Sequence, residues 1–294
     1  MIASPPPLQF RVGDLLERLR ARDEFAAFVR RPDSGIDLLE GALLVAREEY
    51  PRLDPHAYRL RLAAAAEAAR RRAADASLDA RLRALRRVLF DEEGYRADRE
   101  NYYDPRNSYL NQVIDRRLGI PISLAIVYLE IGRHLGLPLH GVNFPGHFLV
   151  LCRPPGPEPE FLIDVYEGAV RVDMDDCAAR LRRHQGSGAR LEPQMLQPAP
   201  TRQILYRLLN NLKGIYMNSN EPGRALACVE RMMLLVPHSA ADVRDRGMLL
   251  LQLGFPELAR QDLEGYLLHQ PGPQEAGPVF MQLRTLHRRS RQTS

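Results

Sequence analysis

The stretch that decides the fold runs from Gly119 to Val150, GIPISLAIVYLEIGRHLGLPLHGVNFPGHFLV, and resumes after the proline-rich RPPGPEPE loop as FLIDVYEG over residues 161–168. Pro121 suits the first turn of a helix, where its missing N–H has no partner to lose and its φ is already helical. Leu124, Ala125, Val127, Tyr128, Ile131 and Leu135 supply an apolar side covering much of the circumference. This predicts a central helix that stops at Gly136-Leu137-Pro138. Gly132 in its interior costs roughly 1 kcal/mol relative to alanine, and has two readings: a tolerated glycine, or close packing against another backbone. Phe148 to Cys152 and Phe161 to Val165 are short apolar runs that predict neighbouring antiparallel strands joined by the proline-rich loop. His147 begins the first and Asp164 lies within the second. An ionised carboxylate in an apolar strand is costly to bury unless paired, and His147 is the nearest suitable group.

Upstream, Leu110, Val113, Ile114 and Leu118 mark a preceding helix, with Asn107 as its expected N-cap and Gly119 as its expected terminator. Residues 10–90 read as helices. Leu38, Leu39, Ala42, Leu43, Val45 and Ala46 form a stripe ending near Tyr50-Pro51, Leu60 to Arg72 is an alanine-rich run, and Leu82, Leu85, Val88 and Leu89 continue the helical pattern. Packing is the expected role of all of them.

Downstream, the period changes. Asn211, Ala225, Val229 and Pro237 recur as Asp245, Ala259, Leu263 and Pro271, each displaced by 34 residues, and Pro222 recurs as Pro256. Small residues at Ala225 and Ala259 allow paired helices to approach, while Pro237 and Pro271 close the second helix of each unit. This is the tetratricopeptide period, in which helical hairpins bury their apolar faces by stacking. The expected organisation is an N-terminal helical region over 1–90, a core over 91–186, a linker over 187–200, repeats over 201–280 and a basic tail over 281–294.

With 45% hydrophobic residues in 294, the chain can bury a substantial core. MIASPPPLQF lacks the charged and apolar regions of a secretory leader, and no uninterrupted apolar run of 18 residues follows, so a soluble cytoplasmic protein without membrane contact is expected. Cys152, Cys177 and Cys228 are odd in number and far apart, which suggests neither a disulfide framework nor a thiolate metal site. His134 and His140 show neither HExxH spacing nor an obvious carboxylate partner. There is no GxGxxG or Walker loop, and Asp175-Asp176 lacks the spacing of a calcium loop, so no cofactor and no metal are expected. The net charge of +4 rests almost wholly on arginine, in clusters at 70–72, 86–87, 116–117 and 284–291. These are solvated helix faces or, if they converge, a weak case for nucleic-acid contact.

The run NYYDPRNSYLNQVIDRRLGIPISLAIVYLEIGRHLGLPLHGVNFPGHFLV, with IDVYEG and the repeats, resembles the SirB-type family of bacterial transglutaminase-like proteins carrying tetratricopeptide repeats. The resemblance covers nearly the whole chain. It implies an α+β, mainly helical architecture: a transglutaminase-like (papain-like) core with a small antiparallel sheet, followed by a tetratricopeptide-type helical array. It also implies a cysteine at the start of the central helix, a histidine on one strand and an aspartate on the next. GHFLV supplies the histidine as His147 and LIDVY the aspartate as Asp164. Counting back from Arg133 and Gly136, the nucleophile's position falls on Pro121.

Proline has no nucleophilic side chain, so thioester chemistry has no first step. Ser123, two residues on, has two readings: a substitute nucleophile if the helix start is shifted, or a first-turn hydroxyl bonded to backbone. Cys152 lies on the opposite strand face from His147, and Cys177 and Cys228 belong to other helices. The His147-Asp164 pair is either a structural or ligand-binding remnant or a working acid-base pair. Asn107, Asn111 and Asn143 are candidate ligand contacts, with local bonding as the alternative; Asn107 and Asn111 stand four apart on one helical face.

The leading expectation is a noncatalytic protein-interaction or regulatory module that takes a protein or peptide partner on its repeats. The alternative is a serine-dependent amide hydrolase or transferase using Ser123, His147 and Asp164.

Overall fold

A computed structural model describes residues 12–292. The opening MIASPPPLQF segment and the side chains of Arg289 and Arg291 in the basic tail lie outside the described residues. Four helices lead the chain: α1 (Val12–Val29), α2 (Leu38–Arg47), α3 (Pro55–Arg72) and α4 (Leu78–Arg86), the last running into a π-helical turn at Arg87–Glu92. Their starts are written locally. Asp37, Asp54 and Ser77 each accept a hydrogen bond from a first-turn N–H, and Pro55 occupies the first helical position of α3.

The central segment begins with β1 (Arg96–Ala97), α5 (Leu110–Arg116) and β2 (Leu118–Gly119), with β1 and β2 paired in parallel. The long central helix α6 (Pro121–His134) follows, then four strands, β3 (Leu139–Val142), β4 (Leu149–Cys152), β5 (Phe161–Asp164) and β6 (Val170–Val172), and the helix α7 (Met174–Gln185). The four strands form one antiparallel sheet in sequence order, with Val150 opposite Ile163 at the centre of the β4-β5 pair. The expected central helix and strand pair are therefore present. Leu124, Ala125, Val127 and Ile131 of α6 are fully buried between α3 and the sheet. A Cβ on Gly132 would lie 2.5 Å from Leu139 Cδ1, so this glycine admits a side chain from β3 rather than another backbone.

Four local expectations need correction. Asn107 does not cap α5, because Asp104-Pro105 starts its own 3-10 turn over Pro105–Asn107, and Tyr109 stands at the helix start. Asn107 and Asn111 consequently do not share one helical face. Gly119 does not end α5; Arg117 does, at φ 58°, and Gly119 is already in β2. His147 stands two residues before the first residue of β4, in a turn.

The repeat region contains α8 (Thr201–Asn218), α9 (Pro222–Leu235), α10 (Ala240–Gln252), α11 (Pro256–Leu268) and α12 (Pro273–Gln292). Pro222 and Pro256 open the second helix of each hairpin. Asn220 and Gly254, themselves 34 residues apart, carry the left-handed turns before them at φ 56° and 82°. Ala225 and Ala259 are both fully buried.

The two hairpins differ in what they pack against. Leu205, Leu208, Leu209, Leu212 and Tyr216 of α8, and most buried residues of α9, belong to the same apolar cluster as α2, α3 and α6. Leu205 presses on Gly41, Tyr109 and Tyr216 share a buried hydroxyl contact of 2.6 Å, and Arg231 donates to Val45 O at 3.0 Å. Leu263, Tyr266, Val279 and Leu283 instead form a separate cluster in α11 and α12. The first hairpin is thus part of the core, and the array proper extends from it.

Candidate functional site

A tight turn aims the histidine. His147 N–H donates to Phe144 O at 3.1 Å, with Pro145 and Gly146 between them and Gly146 at φ 70°. Proline followed by a left-handed glycine is the sequence pattern of a type II turn. The turn ends with the imidazole directed at Asp164, the last residue of β5.

Asp164 is fully buried and receives four contacts. Its Oδ2 lies 3.1 Å from His147 Nε2 and 2.8 Å from an Arg180 guanidinium nitrogen. Its Oδ1 accepts from the backbone N–H of Tyr166 at 3.0 Å and of Glu167 at 3.3 Å. Burial alone pushes the carboxyl up; the hydrogen bond and charge of His147, then Arg180, outweigh it and hold the carboxyl below its ordinary value. Asp164 therefore fixes the ring through Nε2, and Nδ1 has no hydrogen-bond partner among the described residues. The Tyr166 ring meets the imidazole edge to face at 6.0 Å, and Tyr102 meets Tyr166 at 6.4 Å.

Ser123 is also fully buried. Its Oγ donates to Asn107 O at 2.6 Å, with Ile120 O at 3.2 Å as the other acceptor in reach, and accepts from Ile120 N–H at 3.1 Å. The hydroxyl has one proton and both of its roles are taken by backbone, joining the first turn of α6 to the 3-10 turn before α5. It makes no hydrogen bond with His147 among the described residues. Pro121 is buried at the first position of α6.

The three asparagines separate. Asn107 is saturated: Nδ2 donates to Asp98 Oδ2 at 3.1 Å and to Asn101 O at 2.8 Å, and Oδ1 accepts from Arg116 at 3.2 Å. Asn111 Oδ1 and Asn143 Oδ1 are buried without a partner, as is Ser108 Oγ. Cys152, Cys177 and Cys228 are buried free thiols, and burial pushes Cys152 and Cys228 up to about 11, which keeps them protonated at neutral pH. His134, for which the sequence offered no carboxylate, lies 3.2 Å from Glu130 Oε1. Three of the four arginine clusters are matched to acids: Arg70 and Arg71 to Glu67, Arg72 and Arg87 to Glu92, Arg86 to Asp91, Arg116 to Asp98 and Arg117 to Glu93. Among the described residues no group of His, Cys, Asp and Glu could hold a metal ion, and no helix is long and apolar enough to cross a membrane.

Sequence reasoning missed Arg180, Tyr166 and Arg207. Arg180 completes the charge balance of Asp164 from α7. Arg207 of α8 donates to Phe144 O at 2.8 Å, the same carbonyl that accepts the His147 N–H, and so touches the His147 turn from the first repeat helix. A buried aspartate in an apolar strand signals the need for more than one donor, but not which arginine supplies it.

Comparison with known proteins bears on the family and on the two parts of the chain. A model of the transglutaminase-like superfamily matches residues 56–210, and a tetratricopeptide repeat model matches residues 212–284. A UPF0162 protein of Xylella fastidiosa is 44% identical over 243 residues, covering 81% of this chain and 86% of that protein. A UPF0162 protein of Vibrio cholerae is 33% identical over 88% of this chain and 95% of its own length. The human F-box only protein 21 is 49% identical over 142 residues, which is 46% of this chain and 21% of that protein.

Proposed function

We propose that this chain, which belongs to the transglutaminase-like superfamily, is a noncatalytic protein-interaction module whose repeats take a protein or peptide partner. The observation that carries the reading is Ser123: its hydroxyl is fully buried and bonded to Asn107 O and Ile120 N–H, so both of its hydrogen-bonding roles are taken by backbone and neither by the oriented His147-Asp164 pair. In this reading the pair ties the His147 turn to β5 and α7, and recruitment falls to the outer repeat. Phe255 just before α11, Leu258 on it, Leu268 at its end, and Phe280 and Met281 on α12 are exposed apolar side chains, Leu268 at 84%. Such residues are the usual anchors of an interface. Three buried unpaired thiols fit a reducing compartment such as the cytoplasm.

The oriented pair also favours a second reading, a serine-dependent amide hydrolase or transferase. It requires Ser123 to leave both backbone partners and reach His147 Nδ1 within about 2.6 to 3.2 Å. The two readings separate in an assay of the full chain with glutamine-containing peptides, with and without an amine donor, read by mass spectrometry. The interaction reading expects no product. Turnover abolished by both Ser123→Ala and His147→Asn would overturn it.

A further inference from the structure

We infer that the open cavity beside His147 is an oxyanion-binding site that takes a carboxylate or phosphate group. The cavity holds about 290 Å³ and is lined by Pro145, Gly146, His147, Arg180, Arg183 and His184. Four of these six side chains are basic and none is acidic. Asp164 lies behind His147, fully buried, with both oxygens already engaged by His147, Arg180 and two backbone N–H groups. Its charge is thus spent within the protein.

Arg183 is the decisive residue. Like Arg182 and Arg190, Arg183 makes no hydrogen bond or ion pair among the described residues, but it alone of the three lines the cavity; His184, which lines it too, makes none either. The acids at the start of its own helix, Asp173, Asp175 and Asp176, stand at the opposite end of α7, seven to ten residues away, which is about 10–15 Å at 1.5 Å per residue. Basic residues in a last helical turn complement the helix dipole. That accounts for Arg182 and Arg183 being on α7; it does not account for the docking of this cationic end on the His147 turn.

The docking is specific. A Cβ on Gly146 would lie 2.5 Å from His184 Cγ, so the His184 ring rests on the glycine of the turn that carries His147. Arg207 reaches the same turn from α8 by donating to Phe144 O, and burial lowers its pKa with no carboxylate acting against the shift. Arg183 of α7 and Arg207 of α8 thus stand at one turn with no carboxylate paired to either among the described residues. A bound oxyanion meets that imbalance, accepting charge-assisted hydrogen bonds from Arg183 and a ring N–H of His184, with His147 Nδ1 joining as a donor only in the doubly protonated imidazole. The site does not depend on whether Ser123 reacts.

The test is a titration of the full chain with inorganic phosphate and, separately, acetate, each against sodium chloride at matched ionic strength, following the histidine ring resonances by NMR. Saturating shifts at His147 and His184 are expected, with affinity weakened about tenfold or more by Arg183→Gln, the loss typical of a charged hydrogen bond. Arg182→Gln, on the same exposed turn and outside the cavity, should bind as the parent does. Tighter binding of phosphate assigns a phosphate-bearing ligand, and tighter binding of acetate a carboxylate. Shifts no larger than those caused by chloride, or equal losses in the two variants, overturn the proposal.

Discussion

Replacing Ser123 by alanine isolates the assignment on which the functional reading turns. The substitution removes one oxygen and leaves two backbone groups without partners: Ile120 N–H, which donates to Oγ at 3.1 Å, and Asn107 C=O, which accepts from it at 2.6 Å. Ile120 is 2% exposed and Asn107 is fully buried, so water does not replace the hydroxyl at either. A buried donor or acceptor left unsatisfied costs about 1–3 kcal/mol. The N–H loses its partner outright, whereas a carbonyl tolerates a lost bond better because relaxation supplies weaker contacts. Ser123→Ala should therefore destabilise the fold by about 2–4 kcal/mol, read as a lower urea midpoint at unchanged slope. Phosphate or acetate binding by the folded protein should be unaltered. Serine chemistry predicts the reverse pattern: intact stability and a lost activity. A stability loss under about 0.5 kcal/mol, within the ordinary scatter of surface substitutions, refutes the structural role.

Three further outcomes follow from the same contacts. The Asp164 carboxyl titrates below its ordinary 3.8 in the folded state, so it stabilises the fold fully above the unfolded value and loses that contribution as pH falls through the folded value. The urea midpoints of the parent and Asp164→Asn should accordingly converge as pH drops from 6 toward 3, and a constant gap would contradict the ion-pair network. Gly146→Ala forces a side chain into φ 70° and against His184; about 1–2 kcal/mol of destabilisation and a moved His184 resonance are expected, and a change in neither removes the argued packing. Ending the chain at residue 200 strips away Leu205, Leu208, Leu209 and Leu212, all fully buried. At about 1.5–3 kcal/mol each, their loss is comparable with the whole stability of a domain. That truncation should fail to give a cooperative urea transition, whereas ending at residue 239 should retain one; the opposite ranking would mean the first hairpin is not part of the core.

What the sequence determined is what neighbouring residues enforce on one another. Pro121 and Gly136 bracket α6 through backbone geometry, short continuous apolar runs specify β4 and β5, and the 34-residue spacing of Ala225 and Ala259 carries the paired-helix contact. The proximity of His147 to Asp164 was legible because the two strands joined by one loop must pair. The exceptions were equally local, since Asp104-Pro105 nucleated a 3-10 turn and took Asn107 away from the helix start. Only the tertiary structure decided which groups meet across distance. Ser123 is bonded to a carbonyl 16 residues away, Arg180 reaches Asp164 from a later helix, and Arg207 arrives at the His147 turn from the first repeat. Hydrogen-bond donors and charges choose partners by position after the chain has packed, and no periodicity in the sequence encodes that choice. The resemblance identified a histidine and an aspartate, and the packed chain supplied the closed serine and the basic cavity beside His147.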